Sequence, residues 1–189
     1  MHAPPGPAAG RLWGGGGGGG REGAGAARAA MPVATRSGAG DWRSRLLTSE
    51  GDIRRLVRSA RRVAVVGIKP ESKADQPAHY VPSYLQSAGV EVVPVPTYYP
   101  DVTEILGEKV HRSVSGVEGE IDIVNFFRRS EDVEAHVDDV LQKQPLPRAV
   151  WLQSGISNEA AAEAFARRGV FVVMDRCLLV EHQRHASAL

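Results

Sequence analysis

The stretch Val63-Ala64-Val65-Val66-Gly67, with the loop Ile68-Lys69-Pro70-Glu71-Ser72-Lys73-Ala74-Asp75-Gln76-Pro77 after it, decides the fold class. Three of the four apolar residues before Gly67 are β-branched, which favours a buried strand. The loop is rich in turn formers and short polar groups, and an amphipathic run follows it. This succession is typical of the first strand, ligand loop and first helix of a doubly wound α/β domain.

Further apolar segments predict strands at residues 90–95, 121–127, 149–153 and 170–174, each separated from the next by helical patterns. Several of these segments are apolar throughout, which indicates a parallel sheet covered by helices on both faces. Because crossovers between parallel strands are right-handed, the expected architecture is Rossmann-like. We therefore predict a three-layer α/β domain with a parallel sheet of about five strands.

The helix after the loop contains a proline, Pro82. Proline lacks an N–H and clashes with the preceding helical turn, so it is tolerated best near a helix start. We therefore expect this helix to begin near His79 or Tyr80, with Pro82 in its first turn and Gly89 just past its end.

Residues 103–106 predict a short helical turn. Ser49 and Ser130 are each followed by acidic residues and helical spacing, so each is expected to cap a helix. For the helix after residue 153, either Ser157 or Asn158 could be the cap.

Residues 1–40 differ in composition from the rest of the chain. They hold 13 of the 21 glycines, an unbroken run at residues 14–20, and four arginines against one glutamate. Such a stretch cannot bury enough apolar surface to order itself, so we predict a disordered tail before a domain at residues 41–189. The tail is either a transit peptide or the result of an upstream start codon, with Met31 as an alternative beginning.

The tail carries a formal charge of +3, which leaves −2 on the domain and +1 on the whole chain. A mildly acidic domain does not suggest nucleic-acid binding. No run of 18 apolar residues is present, so no membrane span is predicted. A single cysteine, Cys177, excludes an intramolecular disulfide and agrees with a reducing compartment. We expect a cytoplasmic location, or an organelle stroma or matrix if the tail is a transit peptide.

The loop after the first strand carries the ligand chemistry. In open α/β sheets, ligands bind at the carboxyl ends of the strands, where a helix N-terminus favours phosphate. Gly67 allows close approach of the backbone, Lys69 and Lys73 add positive charge, and Ser72 adds a hydroxyl. These features predict a nucleotide-type site.

The loop departs from the dinucleotide-binding fingerprint. That fingerprint needs G-x-G-x-x-G, whereas Gly67 is followed by Ile68-Lys69-Pro70. The second strand ends Pro94-Val95-Pro96, without the acid that accepts ribose hydroxyls in NAD-binding proteins. An apolar wall with lysines nearby suits an adenosine that bears an extra phosphate.

Several motifs occur in order along residues 50–184. They are Gln76-Pro77-x-x-Tyr80-x-x-x-Tyr84-Leu85, Val92-Val93-Pro94-Val95, Leu106-Gly107-Glu108-Lys109-Val110, Asp122-Ile123-Val124-x-x-Phe127-Arg128-Arg129, Val150-Trp151-x-Gln153-x-Gly155-Ile156 and Asp175-Arg176-Cys177-x-x-x-Glu181-His182. Together they resemble the stand-alone coenzyme A-binding domain proteins, which are similar to the N-terminal domain of the succinyl-CoA synthetase α subunit. Two departures are a longer first loop, with Gln76 where a basic residue is common, and Pro-Thr-Tyr-Tyr-Pro in place of Asn-Pro after the second strand.

The resemblance implies coenzyme A as the ligand and assigns the site by position. It puts Gly67, Ile68, Lys69 and Pro70 at the phosphates, and Val95, Pro96 and Thr97 around the adenosine. It puts Phe127 and Arg128 at the edge of the site, Gln153, Ser154 and Gly155 along the pantetheine arm, and Cys177 toward the thiol. The alternative for each is a structural role: Phe127 and Trp151 as core, Arg128 and Arg129 paired with Glu131 or Asp132, Asp175 as a helix cap, and Cys177 as a buried apolar residue.

No nucleophile or general base stands out, and the histidines form no metal-ligand pattern beyond a weak His182-x-x-His185. The synthetase also needs a further domain and a partner subunit, for which this chain is too short. We predict a module that binds coenzyme A or an acyl-CoA without catalysis of its own. The alternatives are an NAD(P)-dependent oxidoreductase on a degenerate Rossmann site and a regulatory module that docks on an acyl-CoA enzyme.

Overall fold

The structure, a computed structural model, describes residues 41–186. The predicted disordered tail at residues 1–40 lies outside this range. The helices are α1 (Glu50–Ser59), α2 (Pro77–Ser87), α3 (Val137–Gln142), α4 (Glu159–Arg167) and α5 (Leu178–Ala186). The strands are β1 (Arg62–Val66), β2 (Glu91–Val95), β3 (Glu104–Ile105), β4 (Glu108–Lys109), β5 (Ile123–Phe126), β6 (Ala149–Leu152) and β7 (Phe171–Val173). Short 3₁₀ helices span Trp42–Arg45, Glu71–Lys73 and Ser130–His136.

Five strands form one sheet in the order β2-β1-β5-β6-β7, and every pairing in it is parallel. The chain runs from β1 outward to β2 and then returns to β5 on the other side of β1. The loops after β1 and β5 therefore diverge at a topological switch point, as in Rossmann-like folds. The predicted fold class and strand number are confirmed. Among the described helices, none is long and apolar enough to cross a bilayer.

Alternate residues of β1 point to opposite faces of the sheet, and each face has its own apolar core. Val63 and Val65 pack with residues of α1, α2 and α5, including Ile53 and Leu85. Ala64 and Val66 pack in the second core, which draws on α3 and α4 through Val140, Ala161, Ala162 and Phe165. The sheet is thus the middle of three layers, and its strands read as continuous apolar runs because both faces are buried.

Helix α2 begins at Pro77, two residues before the earlier of the two predicted starts, so the prediction that Pro82 lies in its first turn is wrong. Pro77 suits the first helical position, where an N–H would be unpaired in any case. Pro82 cannot donate to the carbonyl of Ala78, and the backbone N–H of Lys69 donates to that oxygen instead, at 3.1 Å. Gly89 has a φ of 86° and ends the helix as expected.

The helical turn predicted at residues 103–106 is also wrong. Glu104 and Ile105 pair antiparallel with Lys109 and Glu108 in a hairpin. Leu106 and Gly107, the two residues of its turn, both have positive φ, which is the geometry of a tight hairpin and not of a helix.

The capping predictions have mixed outcomes. Ser49 caps α1, since its side chain accepts from the N–H of Asp52, and Asn158 caps α4 through the N–H of Ala161. Ser130 is the first residue of a 3₁₀ helix and not its cap. Its hydroxyl accepts from the N–H of Ser157, so a tertiary contact takes the oxygen that a cap would use.

The segment before α1 adds to the edge of the sheet beside β7. Leu46 forms a parallel bridge with Val172, and the N–H of Leu47 donates to the carbonyl of Val172 at 2.8 Å. Arg45 donates to the carbonyl of Gly169 at 3.0 Å. The β7 edge is therefore paired at one position by the chain that leads into the domain.

Candidate functional site

The backbones of β1 and β5 meet closely at the switch point. The N–H of Gly67 donates to the carbonyl of Val95, and the N–H of Phe127 donates to the carbonyl of Val66, both at 2.9 Å. Gly67 has a φ of 83°, and a Cβ at this position would lie 2.4 Å from the carbonyl oxygen of Phe127. The site thus requires glycine at residue 67 for two separate steric reasons.

A central cleft of about 250 Å³ opens above this contact. It brings together six of the predicted site residues, namely Gly67, Ile68, Lys69, Thr97, Phe127 and Arg128. The remaining lining residues, Tyr98, Tyr99, Arg129 and Asp132, were not predicted as site residues. Loops after three neighbouring strands therefore contribute to one cavity.

Two further clefts adjoin the central one. The first, of about 420 Å³, shares Thr97 and Tyr98 with it and includes the predicted residues Val95 and Pro96. Its other lining residues are Val66, Pro100, Arg112, His136 and Asp139. The second, of about 320 Å³, shares Lys69, Phe127, Arg128 and Arg129 with the central cleft and extends to Gln76, Pro77, Ala78 and Ile156. We call the three together the trough; it follows the carboxyl ends of β2, β1 and β5.

Arg128 lies in the middle of the trough. Its Nη1 donates to the Thr97 hydroxyl at 3.0 Å and its Nη2 donates to Asp132 at 3.1 Å, while its guanidinium lies 5.5 Å from the ring centroid of Tyr98. Its Nε is buried and has no hydrogen-bond partner among the described residues. A buried cationic donor without an acceptor is costly, and an anion in the trough would satisfy it.

The predicted alternative of ion pairing also holds for this loop. Arg128 and Arg129 both contact Asp132, and Arg129 additionally lies 3.5 Å from Glu131. The hydrogen bond from Arg129 lowers the pKa of Asp132, so this carboxylate stays charged. Asp132 therefore fixes the position of the Arg128 guanidinium, while its Nε still has no hydrogen-bond acceptor among the described residues.

Lys69 is held by the start of α2. Its N–H donates to the carbonyl of Ala78 at 3.1 Å, its own carbonyl accepts from Nδ1 of His79 at 2.8 Å, and its ammonium donates to the side-chain oxygen of Gln76. Gln76 replaces the basic residue that the resemblance led us to expect. The substitution exchanges a second charge for an acceptor that orients Lys69.

The rest of the lengthened loop turns away from the trough. Ser72 and Lys73 are exposed, Pro70 is buried, and none of the three lines the clefts of the trough. Glu71 accepts from the N–H of Leu106 at 2.7 Å. Partial burial opposes ionisation of Glu71, but this hydrogen bond leaves its pKa below the usual value. The loop is thereby tied to the β3–β4 hairpin.

His136 lines the trough beside β5. Its ring lies 5.8 Å from that of Phe126, in a tilted arrangement. Burial lowers the pKa of His136, and the charge of Arg128 lowers it further. The His136 imidazole is therefore neutral near pH 7, and the positive charge beside it belongs to Arg128.

The predicted residues after β6 and β7 lie outside the trough. Gln153 is buried, donates to Asn125 at 2.9 Å and accepts from the N–H of Leu178 at 3.3 Å. The N–H of Gly155 donates to Asp175 at 2.7 Å. Ser154 is exposed, and Cys177 is half-buried against the α1–α2–α5 core. Roles for Gln153, Ser154, Gly155 and Cys177 in ligand binding stay predictions. Trp151, fully buried, is core.

A second polar cluster lies where α1 meets α5. Nε2 of His185 lies 3.3 Å from Glu181 and 3.6 Å from Glu50. Arg176 contacts both carboxylates, at 3.1 and 3.3 Å. His185 and not His182 belongs to this cluster, which the sequence did not indicate. Because Arg176 and Arg184 both pair with these two acids, the cluster acts as an ion-pair network that joins the two helices.

A five-stranded parallel sheet with a cationic trough across its switch point defines a Rossmann-like nucleotide-binding domain. Residues 61–183 match the family described as CoA binding domain, and the chain belongs to that family.

Related proteins match this chain over nearly their whole length. The uncharacterized protein YneT of Bacillus subtilis (strain 168) is 35% identical over 134 residues, which are 71% of this chain and 94% of YneT. A solved structure from Thermus thermophilus is 35% identical, covers 73% of this chain and 99% of its own, and superposes with a TM-score of 0.65. A hypothetical protein from Pyrococcus horikoshii OT3 is 28% identical, covers 74% and 94% of the two chains, and has a TM-score of 0.65.

Proposed function

We propose that this protein binds coenzyme A or an acyl-CoA in the trough, as a stand-alone module without catalysis of its own. The observation that carries the proposal is the continuous trough centred on Arg128, whose buried Nε has no partner among the described residues. The side chain is poised for an anionic ligand, and membership of the CoA-binding domain family supplies the class of that ligand.

The chemistry of the three clefts suits the parts of coenzyme A in order. The cleft of about 420 Å³ offers Val95, Pro96 and the ring of Tyr98 as an apolar wall for adenosine. Lys69 and Arg128, in the central cleft, would hold the phosphates. The third cleft, with Phe127 and Ile156, would take the less polar pantetheine arm.

The polar contacts of the trough favour binding over catalysis. Asp139 accepts from the N–H groups of Val114 and Ser115, at 2.7 and 3.0 Å, and so holds the backbone of that loop. Lys69 donates to the side-chain oxygen of Gln76. In this arrangement Lys69 contributes a donor and a positive charge to the trough.

Calorimetric titration of the purified full chain with coenzyme A, dephospho-CoA, NAD and NADP tests the proposal. We expect saturable binding of coenzyme A, weaker binding of dephospho-CoA, and no binding of NAD. Absence of heat with both CoA species would contradict the proposal. A nicotinamide-dependent absorbance change with a substrate would instead favour the oxidoreductase alternative.

A further inference from the structure

The first turns of α2 hold the backbone of Lys69 on both sides. The N–H of Lys69 donates to the carbonyl of Ala78, and its carbonyl accepts from Nδ1 of His79. The Lys69 side chain is held by Gln76, one residue before the helix. All three contacts thus come from one four-residue segment, and they fix one residue of the trough wall.

Pro82 makes the first of these contacts available. In a regular helix, the carbonyl of Ala78 would accept from the N–H four residues later, but Pro82 has none. The freed oxygen accepts from Lys69 at 3.1 Å. A proline inside a helix is strongly unfavourable relative to alanine, and the hydrogen bond from Lys69 compensates for part of the loss at Pro82.

His79 makes the second contact with a defined tautomer. Its side chain is buried, with 6% of the residue exposed, and Nδ1 lies 2.8 Å from the Lys69 carbonyl. Because a carbonyl oxygen only accepts, Nδ1 must carry the hydrogen. His79 lines none of the three clefts, so it acts on the trough only through Lys69.

We propose that His79 and Pro82 are positioning residues, which preorganise Lys69 for the phosphates of the ligand. This role rests on the proposed function, and it would make His79 and Pro82 determinants of the affinity of the trough for coenzyme A. A residue that is already ordered before binding loses less conformational entropy when the ligand binds, because the entropy was lost when the chain folded. We call the contacts of Ala78 and His79 with Lys69 the Lys69 clamp.

Calorimetry with coenzyme A on His79→Leu and His79→Asn tests the clamp. Leucine fills the space without a donor, whereas the asparagine amide nitrogen can take the place of Nδ1. We expect roughly tenfold weaker binding for His79→Leu, as for the loss of one buried hydrogen bond, and recovery of most of that affinity in His79→Asn. A purely volumetric role for His79 would give the opposite ranking.

Pro82→Ala separates positioning from stability. The new N–H competes with Lys69 for the Ala78 carbonyl, while the helix itself gains a better helix former. We expect a thermal midpoint equal to or above that of the unaltered protein, with affinity for coenzyme A about threefold lower. Ser83→Ala, one residue further along α2, is the matched control and should change neither quantity.

Amide hydrogen exchange of Lys69 gives a readout that needs no ligand. We expect protection in the unaltered protein and in His79→Asn, and faster exchange in His79→Leu and Pro82→Ala. If the unaltered protein binds coenzyme A but His79→Leu binds it equally well, the clamp is overturned and the proposed function stands. If the unaltered protein binds no CoA species, the proposed function fails and the clamp has no role in binding, whatever the exchange rates.

Discussion

The two halves of the sheet's carboxyl edge use their polar groups differently. At the ends of β1, β2 and β5, the buried Nε of Arg128 has no hydrogen-bond partner within residues 41–186, and the loops diverge to form the trough. At the ends of β6 and β7, Gln153 bonds to Asn125 and to Leu178, and Gly155 bonds to Asp175. One half has a cationic donor free to meet the proposed ligand, whereas the polar groups of the other half bond to one another.

The contrast teaches that position at a strand end is necessary for a site but not sufficient. Both halves satisfy the rule that ligands bind at the carboxyl ends of strands. The half at the switch point has loops that leave in opposite directions, with the trough and its cationic side chains between them. The cleft of about 410 Å³ in the other half lies between the end of β7 and the segment before α1, and Arg176, the basic residue of its lining, is paired with Glu50 and Glu181. Where β6 and β7 lie side by side, the loops after them bond to each other.

The largest expected effect compares two glycines, one in each half. Gly67 and Gly155 have φ values of 83° and 79°, but a Cβ would meet the Phe127 carbonyl only at Gly67. We expect Gly67→Ala to lower the free energy of unfolding by roughly 3 kcal/mol or more, because the clash adds to backbone strain. Gly155→Ala should cost about 1 kcal/mol, from strain alone. Urea unfolding of both variants measures the difference, and equal costs would contradict the close approach at the switch point.

A second comparison measures both ligand affinity and stability in one variant from each half of the sheet edge. Arg128→Met should weaken coenzyme A binding by roughly tenfold or more, with little loss of stability because Arg129 still pairs with Asp132. Gln153→Leu should lower the free energy of unfolding by about 1–3 kcal/mol, since it leaves the N–H of Leu178 and the oxygen of Asn125 unpaired. Calorimetry gives the affinity of each variant for coenzyme A, and urea unfolding gives its stability. We expect the affinity to fall mainly in Arg128→Met and the stability to fall mainly in Gln153→Leu.

One outcome of these measurements would contradict the distinction between the two halves of the sheet edge. If folded Gln153→Leu loses as much affinity as Arg128→Met, then the binding surface extends from Ile156 back to the end of β6, and the two halves form one site. Cys177→Ser, in the same experiments, tests the position predicted for the thiol end.

The smallest expected effect concerns two histidines on opposite faces of the sheet. Burial lowers the pKa of His136 and of His182, and Arg128 lowers that of His136 further. Phosphates bound beside Arg128 would stabilise the imidazolium of His136, so coenzyme A should raise the pKa of His136 and leave that of His182 unchanged. An NMR pH titration with and without coenzyme A measures both, and equal responses would indicate a general change of structure.

Most of the fold could be predicted from the sequence because it depends on periodicity. The apolar runs and the glycine after β1 were sufficient for strand number, parallel pairing and three layers. The turn predicted at residues 103–106 was wrong because a local hairpin turn at Leu106 and Gly107 was overlooked. The predictions for Pro82 and Ser130 were wrong because a contact outside the helix overrides a local preference. The carbonyl freed by Pro82 is used by Lys69, and the Ser130 hydroxyl is used by Ser157. Neither partner is near in sequence, so local rules could not find them.

The lining of the trough, which is the candidate site, could be predicted in part because it depends on where the strands end. Residues that directly follow β1, β2 and β5 were found by position, and the trough contains them. Tyr98 was within reach of prediction, because prolines at 96 and 100 bracket its loop. His136 was not, since it lies at the end of a 3₁₀ helix, six residues beyond its start, and reaches the trough only through the packing of that helix against the sheet.

The bridge between Leu46 and Val172 has a consequence for how the domain can be cut. The family match begins at residue 61, which leaves out α1 and the segment that pairs with β7. A fragment trimmed to that boundary would present an unpaired strand edge to solvent, together with the apolar surface that Trp42, Leu47 and Ile53 cover. Such an edge is a template for strand addition, so we expect the fragment to aggregate more readily than a chain that starts at residue 41.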